Sequence, residues 1–525
     1  MPTYNLVDEA WVPCLAPDGR RIELGLRELF LTAHELQELR DESPLVTASL
    51  YRLLIVIAHR IVDGPRDEDH WEELWNAGRF DSAAVNAYFD KWRHRFDLFD
   101  DKWPFLQVAG FSIIDGKSGT EQTPASIINI EHERNNITLF DHGNGAEYAG
   151  MPAAQAAGHL LAFQFFAMSG GKGATSNLYG EHPYLANGTA VGEIMALLKK
   201  DNLCRTILLN ALCRDAPWPV KSGNEDAPLW EQDSMQSVAP CAPKGYFDML
   251  TFPARAMRLL YTDRDGQASI TGAYIAQGSS LQREEGVFYR SPFSPYSLHK
   301  DYGLLPIGFS PQRSLWRDSY TLFISFLDEE KKADPRPLTF KQLAGMSING
   351  NDEYSCIALG MAKKSGKAII LMWHHEELPV PTRLLKDTNS AAWLQKGLQK
   401  CEEAGFILGG ALRKLALYAV SGHSDKNPQE AEKKNAATLA ERSTFWARME
   451  LPFKDFLRSL GKDDPETAYL AWCEKCRKEA LNAFHESAVM LVGNVARDLK
   501  EIVTAESDLK YKLRKFMDKK EVSSD

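Results

Sequence analysis

The residues best suited to bind an anion form a glycine-rich loop at residues 169–175, Ser-Gly-Gly-Lys-Gly-Ala-Thr. Gly170, Gly171 and Gly173 let a backbone approach a ligand closely, and Lys172 attracts negative charge. The ligand could be a nucleotide or the phosphate backbone of a nucleic acid. A nucleotide-binding P-loop needs Gly-Lys-Ser/Thr between a strand and a helix. Here Gly173 follows the lysine and a helical pattern precedes the loop, so a surface turn that ends a helix is the simpler interpretation.

A second basic segment lies between two runs of strand-forming residues, 355–360 and 368–373. The pattern predicts a hairpin whose tip contains Lys363, Lys364, Ser365, Gly366 and Lys367. Lysines at a tip can neutralise phosphates, and a small Ser-Gly apex permits close approach to a groove or a base pair. A solvated turn would have the same composition, so the residues alone leave both interpretations open.

The other candidates for chemistry are weaker. Cys473 and Cys476 form a CxxC pair inside a helical pattern without a second ligand pair at a usual spacing, which favours packing over metal or redox chemistry. The run 374–377, His-His-Glu-Glu, lies on a predicted strand, where neighbouring side chains point to opposite faces. No metalloprotease, hydrolase-elbow or dinucleotide motif is present. We therefore expect no enzyme activity, no cofactor and no bound metal.

Composition limits the remaining classes of protein. A chain of 525 residues is too long for one core and should form more than one domain. A net charge of −10 restricts any nucleic-acid contact to a local basic site. Eight scattered cysteines fit reduced thiols, and Arg52, His59 and Gln164 interrupt the longest apolar segments. Without a signal-peptide pattern, we expect a soluble, cytoplasmic protein.

The elements that must position these residues follow from turn and periodicity signals. A hairpin is predicted around the turn at 17–19, and helices are predicted from Pro44 and from the N-cap Asp81 to Arg95. Between about 246 and 379 the pattern changes to short strand-like runs, namely 257–261, 320–324 and 368–373.

The rest of the chain is strongly helical, with segments at roughly 390–420, 428–460, 466–492 and 494–518. Four long helices with short breaks predict an antiparallel bundle. The fold class is therefore α+β, with a mixed α/β N-terminal domain at 1–385 and a C-terminal four-helix bundle at 386–525.

Several blocks together resemble one family, the CasA large subunits of type I-E CRISPR Cascade complexes. They occur in the same order over nearly the whole chain, at residues 5–13, 96–105, 135–142, 160–171 and 445–453. The resemblance implies a non-enzymatic subunit that recognises a short protospacer-adjacent motif in duplex DNA and helps the guide RNA to open the duplex. By position, Gly170, Gly171, Lys172 and Gly173 correspond to the family's motif-reading loop, and 363–367 to the hairpin wedge that splits the first base pairs.

The resemblance also implies partners. Asn136, Leu139 and Phe140 correspond to the segment that docks on the 5′ handle of the guide RNA and on neighbouring subunits. The C-terminal bundle would contact the small subunits and the displaced strand. A helicase–nuclease effector would be recruited once the DNA is open, and no membrane is implied.

The chain departs from the family pattern at the minor-groove hook. Well-known members place a lysine there, whereas no lysine lies between Tyr274 and Phe288. Gln277 is the nearest candidate, with Gln282 and Arg283 as alternatives. Some relatives carry a cysteine zinc cluster before the hook, but residues 261–266 contain no cysteine. A phosphate- or nucleotide-binding enzyme built on residues 169–175 is the alternative from a different class.

Overall fold

The computed structural model describes residues 2–112, 150–170, 185–216, 218, 220, 223, 225–233, 240–264, 267–281, 289–299, 303–324, 334–347, 353–364, 366–421, 428–440, 444–492 and 496–518. The chain divides into two compact units. The first comprises Met1–Leu315, Phe326–Ile348 and Tyr354–Glu377, and the second comprises Trp316–Ser325, Asn349–Glu353 and Leu378–Asp525. The predicted division at residue 385 is eight residues from the last of these boundaries (385 against 377), and two earlier segments join the second unit.

The first unit mixes helices with small sheets. Its helices are α1 Leu26–Thr32, α2 Pro44–Ile61, α3 Glu68–Ala77, α4 Ser82–Trp92, α5 Ala153–Phe166, α6 Leu203–Leu209 and α7 Tyr246–Leu250. A short helix, α8 Tyr320–Phe323, belongs to the second unit, and α9 Leu338–Gly345 returns to the first. The strands are β1 Val12–Leu15, β2 Arg21–Leu24, β3 Glu38–Leu39, β4 Met151–Pro152, β5 Ile194–Lys199, β6 Pro240–Cys241, β7 Arg255–Arg264, β8 Gln267–Gln277, β9 Ser280–Leu281, β10 Tyr296–His299, β11 Gly303–Pro306, β12 Glu353–Lys363 and β13 Ile370–Pro381.

The central helix α2 begins as its sequence predicts. The hydroxyl of Ser43 accepts hydrogen bonds from the backbone N–H groups of Leu45 and Val46, and Pro44 occupies the first turn, where no N–H is needed. Among the described residues, α2 is the one helix with the length and hydropathy of a membrane span, and 89% of it is buried inside the protein. Its apolar surface therefore forms the core of the first unit.

Two antiparallel sheets position the candidate site. Strand β8 lies between β4 and β7, and β12 lies between β13 and β5. The predicted N-terminal hairpin is confirmed as β1 and β2, and the predicted helix after Asp81 is confirmed as α4, with the Asp81 carboxylate accepting from the Ala84 N–H. The predicted strand at 320–324 is wrong, because this segment contains α8. A four-residue segment with three consecutive buried residues is too short to show a periodicity that separates strand from helix.

The second unit is mainly helical, as predicted, but its described residues form five long helices where the sequence predicted a four-helix bundle. Its long helices are α11 Thr388–Val420, α12 Glu430–Ala440, α13 Phe445–Lys462, α14 Pro465–Val492 and α15 Ala496–Asp518, preceded by the short α10 Thr382–Lys386. The predicted helix at 428–460 is thus two helices, α12 and α13. Helix α11 packs against each of the other four long helices. Cys473 and Cys476 are buried in α14, and burial beside Cys401 raises the pKa of the Cys476 thiol well above its usual value.

A segment from the middle of the chain completes the second unit. The Trp316 ring lies 4.9 Å from the Phe453 ring of α13, centroid to centroid. The Arg317 guanidinium donates to both carboxylate oxygens of Glu402, at 2.8 and 2.7 Å, and lies 3.5 Å above the Trp446 ring. A planar guanidinium held by a bidentate carboxylate and an aromatic face fixes residues 316–318 on the bundle.

Candidate nucleic-acid interface

The first part of the site is the base of the glycine-rich loop. Helix α5 ends at Phe166, and the chain then runs to Gly170 and is described again from Leu185. The two ends are hydrogen-bonded to each other, since Ser169 N–H donates to the Asn187 side-chain oxygen at 2.7 Å and Gly170 N–H donates to the Leu185 carbonyl at 3.3 Å. Of the predicted loop residues only Gly170 lies in the described part of the chain. Gly171, Lys172 and Gly173 lie outside it.

The second part is the lysine-bearing hairpin formed by β12 and β13. The predicted hairpin is confirmed, and its turn is closed by a 2.9 Å hydrogen bond from Lys364 N–H to the Ile369 carbonyl. Gly366 has a φ of +70°, which glycine adopts without steric cost. Lys363, Lys364 and Lys367 are exposed, so their charges face solvent, while Ser365 lies outside the described residues.

The structure brings the loop base and the hairpin together. A Cβ added at Gly170 would lie 3.3 Å from the Cβ of Ala368, which follows the hairpin tip. The Lys363 side chain also runs past the backbone of Gly192, whose ideal Cβ position is 3.8 Å from the lysine Cε. One local surface therefore combines a closely approachable backbone with exposed ammonium groups, an arrangement suited to a polyanion. Sequence reasoning identified both segments but missed Ala368, because a small residue at a turn carries no signal of its neighbour across space.

Gln277 does not match the predicted minor-groove hook. Its side chain is 3% exposed. Its oxygen accepts a 2.6 Å hydrogen bond from Ala186 N–H, and its amide nitrogen donates to the Gly278 carbonyl at 3.1 Å. A groove-reading side chain must reach solvent, and this one would have to break its buried hydrogen bonds to do so. The alternatives Gln282 and Arg283 lie outside the described residues.

Comparison with known proteins decides the family. The model of the family described as CRISPR-associated protein Cse1 matches residues 5–483, most of the 525-residue chain. The chain belongs to the CRISPR-associated Cse1 family. The CasA resemblance read from the sequence is therefore confirmed, since a curated relative carries both names.

The relatives of this Cse1-family chain match it from end to end. The CRISPR-associated protein CasA/Cse1 of Thermus thermophilus is 29% identical over 524 residues, covering 96% of each chain. The crystal structure of Cse1 from Acidimicrobium ferrooxidans has the same fold, with a TM-score of 0.82, 23% identity and coverage of 98% of this chain and 99% of that one. A chain in a structure titled CRISPR RNA-guided surveillance complex has a TM-score of 0.72 at 21% identity, covering 97% of this chain and all of that one.

The remaining sequence candidates of this Cse1-family chain lie either outside the described residues or on strand β13. Asn136, Leu139 and Phe140 lie in the stretch 113–149, outside the described residues. On β13, His374 Nε2 lies 3.4 Å from a carboxylate oxygen of Glu376 that also accepts from the backbone N–H of Leu315. Within the described part, no group of three or more His, Cys, Asp or Glu side chains is arranged to hold a metal ion.

Replacing Gly170 with valine is expected to separate the loop base from the hairpin. The backbone φ of +154° is rare for residues with a side chain, and an added Cβ would lie in a tight contact, 3.3 Å from the Cβ of Ala368. Binding of a motif-containing duplex by the assembled complex should weaken about tenfold or more, measured by gel shift. Gly345→Val is the matched control, because no atom lies within 4 Å of its added Cβ. Equal binding by the two variants would contradict the proposed contact.

Proposed function

We propose that this Cse1-family chain is the large subunit of a type I-E Cascade complex, where it recognises the protospacer-adjacent motif and starts duplex opening. The observation that carries the proposal is the contact between Gly170 and Ala368, which joins the glycine loop to the lysine hairpin. The loop that recognises the motif and the hairpin that opens the duplex must act on adjacent base pairs. Their proximity in one unit fits that requirement.

The chemistry of the two segments supports this division of work. Glycines have no side chain and allow close approach of the backbone to a groove, while exposed lysines attract phosphates. The minor groove presents a degenerate pattern of acceptors, so a reader on that side accepts several related motifs. With a net charge of −10, the protein binds DNA only through such local contacts and leaves sequence recognition to the guide RNA.

The proposed partners follow from the family and from the surveillance-complex chain with the same fold. They are the guide RNA, the target duplex, the backbone, small and handle-binding subunits, and a helicase–nuclease effector recruited after opening. In this proposal Asn136, Leu139 and Phe140 dock on the RNA handle. The chain works in the cytoplasm as a binding subunit without catalysis of its own.

The test is reconstitution of the complex with and without this chain. We expect tight binding to a duplex with the motif, weaker binding to one without it, and loss of the difference when the chain is left out. Motif-dependent binding by a complex lacking the chain would overturn the proposal. Tight ATP binding that is lost in Lys172→Ala would instead favour the nucleotide-binding enzyme.

A further inference from the structure

A group of buried polar side chains lies beneath the base of the glycine loop. Arg255 starts β7 and Gln277 ends β8, and the two residues are paired directly across the antiparallel ladder. Arg255 is 1% exposed, Gln277 is 3% exposed and Gln164 of α5 is 1% exposed. Three long polar side chains at this depth are unusual, because burial is unfavourable unless each polar group finds a partner.

Arg255 bridges the two ends of the loop. Its guanidinium donates to the Met168 carbonyl at 2.9 Å and to the Ala186 carbonyl at 2.7 Å. Met168 comes just before the glycine-rich loop and Ala186 follows Leu185, where the described chain resumes, so one planar group fixes the distance between these two segments. Lysine, with a single ammonium group, has no comparable rigid fork.

Gln277 binds the same residue, Ala186, through the peptide group on its other side. Its side-chain oxygen accepts from Ala186 N–H at 2.6 Å, while Arg255 holds the Ala186 carbonyl. Gln164 in turn fixes the backbone of Arg255, accepting from its N–H at 2.9 Å and donating to its carbonyl at 3.0 Å. The loop base is thus connected by hydrogen bonds to helix α5 and to the β7–β8 hairpin.

These contacts fix the backbone at residues 168 and 186, on either side of the glycine-rich loop. Ordering a loop on binding costs conformational entropy, and fixing its ends beforehand reduces that cost. The position of Gly170 against Ala368 depends on the same residues, because Met168 is two residues away.

We infer that Arg255 and Gln277 are positioning residues for motif recognition, which hold the loop base in its DNA-reading position without touching DNA. This inference depends on the proposed function. It also gives Gln277 a role that differs from the minor-groove hook expected from the sequence.

The test compares Gln277→Met with Gln107→Met in the assembled complex. Gln107 is a matched control, being 4% exposed, donating to the Leu98 carbonyl and accepting from Leu259 N–H away from the loop. We expect Gln277→Met to bind a motif-containing duplex about five- to tenfold more weakly than Gln107→Met. Binding to a target whose strands are already separated should be the same for both, because it needs no motif reading.

Amide exchange supplies a readout that is independent of DNA. Exchange at residues 168–170 and 185–188 should be faster in Gln277→Met than in Gln107→Met. Gln277→Glu retains the acceptor for Ala186 N–H and should bring duplex binding back toward the wild-type value.

The outcomes separate the two proposals. Equal duplex binding and equal exchange in the two methionine variants would overturn the inference, as would a parallel loss on separated and duplex targets. A wild-type complex that ignores the motif would instead overturn the proposed function, and the exchange experiment would still test the positioning of the loop base.

Discussion

We expect that replacing both Lys364 and Lys367 with glutamate abolishes motif-dependent duplex opening. Both side chains are exposed at the hairpin tip, beside the contact between Gly170 and Ala368. Reversing two charges there removes phosphate attraction and adds repulsion against a backbone of dense negative charge. Affinity for the duplex should fall roughly 10- to 100-fold at moderate salt, and the log–log salt dependence should become shallower by about one to two units.

Two measurements check this result. Permanganate reactivity of thymines next to the motif reports strand separation, and duplex affinity at several salt concentrations gives the slope. Lys91→Glu with Lys102→Glu is the control, since both lysines are exposed in the same unit and the pair changes net charge equally. If the control variant loses opening to the same extent, overall charge rather than the hairpin is responsible.

Acid is expected to destabilise the first unit through His59. This side chain is fully buried among Trp218, Tyr246 and Phe247, with ring centroids 5.4–6.1 Å away. Burial lowers the pKa of His59 from 6.5 to about 4. The positive charges of Arg214 and Arg60 act in the same direction, and the hydrogen bond to the Gly64 carbonyl acts against it. The unfolded chain therefore binds this proton below pH 6.5 and the folded chain only near pH 4. The corresponding loss of stability is about 3 kcal/mol as the pH falls through that window.

Glu193 works in the opposite direction, so variants must be compared with the wild type. Burial raises the pKa of Glu193 from 4.5 to about 7. The hydrogen bond from the Ser294 hydroxyl and the positive charge of Arg52 act against this increase. Its contribution to stability is present at low pH and is lost as the pH rises through 7. His59→Asn should remain able to donate to Gly64 but should lose the acid-sensitive contribution.

The quantity to measure is the difference in free energy of unfolding between wild type and His59→Asn, by urea titration at pH 7 and pH 4. That difference should shrink by about 3 kcal/mol on acidification. A pH-independent difference for His59→Asn would contradict the buried-neutral assignment.

Local signals in the sequence predicted the helices that begin with a cap or a proline. Ser43 with Pro44, and Asp81, act through atoms within three residues, so their effect is visible without the rest of the fold. The segment 320–324 was predicted wrongly because its buried surroundings come from residues far away in the chain. The break between α12 and α13 was missed for a related reason, since both halves continue one helical pattern.

The site was predicted in its parts and not in its arrangement. Glycines and lysines indicate a loop and a hairpin by composition, but the contact between Gly170 and Ala368 joins positions 198 residues apart (368 − 170). Arg255 gave no signal, because an arginine in a strand is normally exposed and nothing local predicts its burial. Gln277 was chosen by its place in the chain, and only its hydrogen bonds to Ala186 and Gly278 reveal its actual surroundings.

Three separate segments of the chain form the second unit, and this limits how the protein can be cut into fragments. A fragment that begins at residue 386 would lack Trp316 and Arg317, so Phe453 would lose its contact with the Trp316 ring and Glu402 would lose the Arg317 guanidinium. A single protease cut near residue 380 would therefore not release an intact bundle. Co-expression of two fragments should restore these contacts only when the first one extends past Phe323.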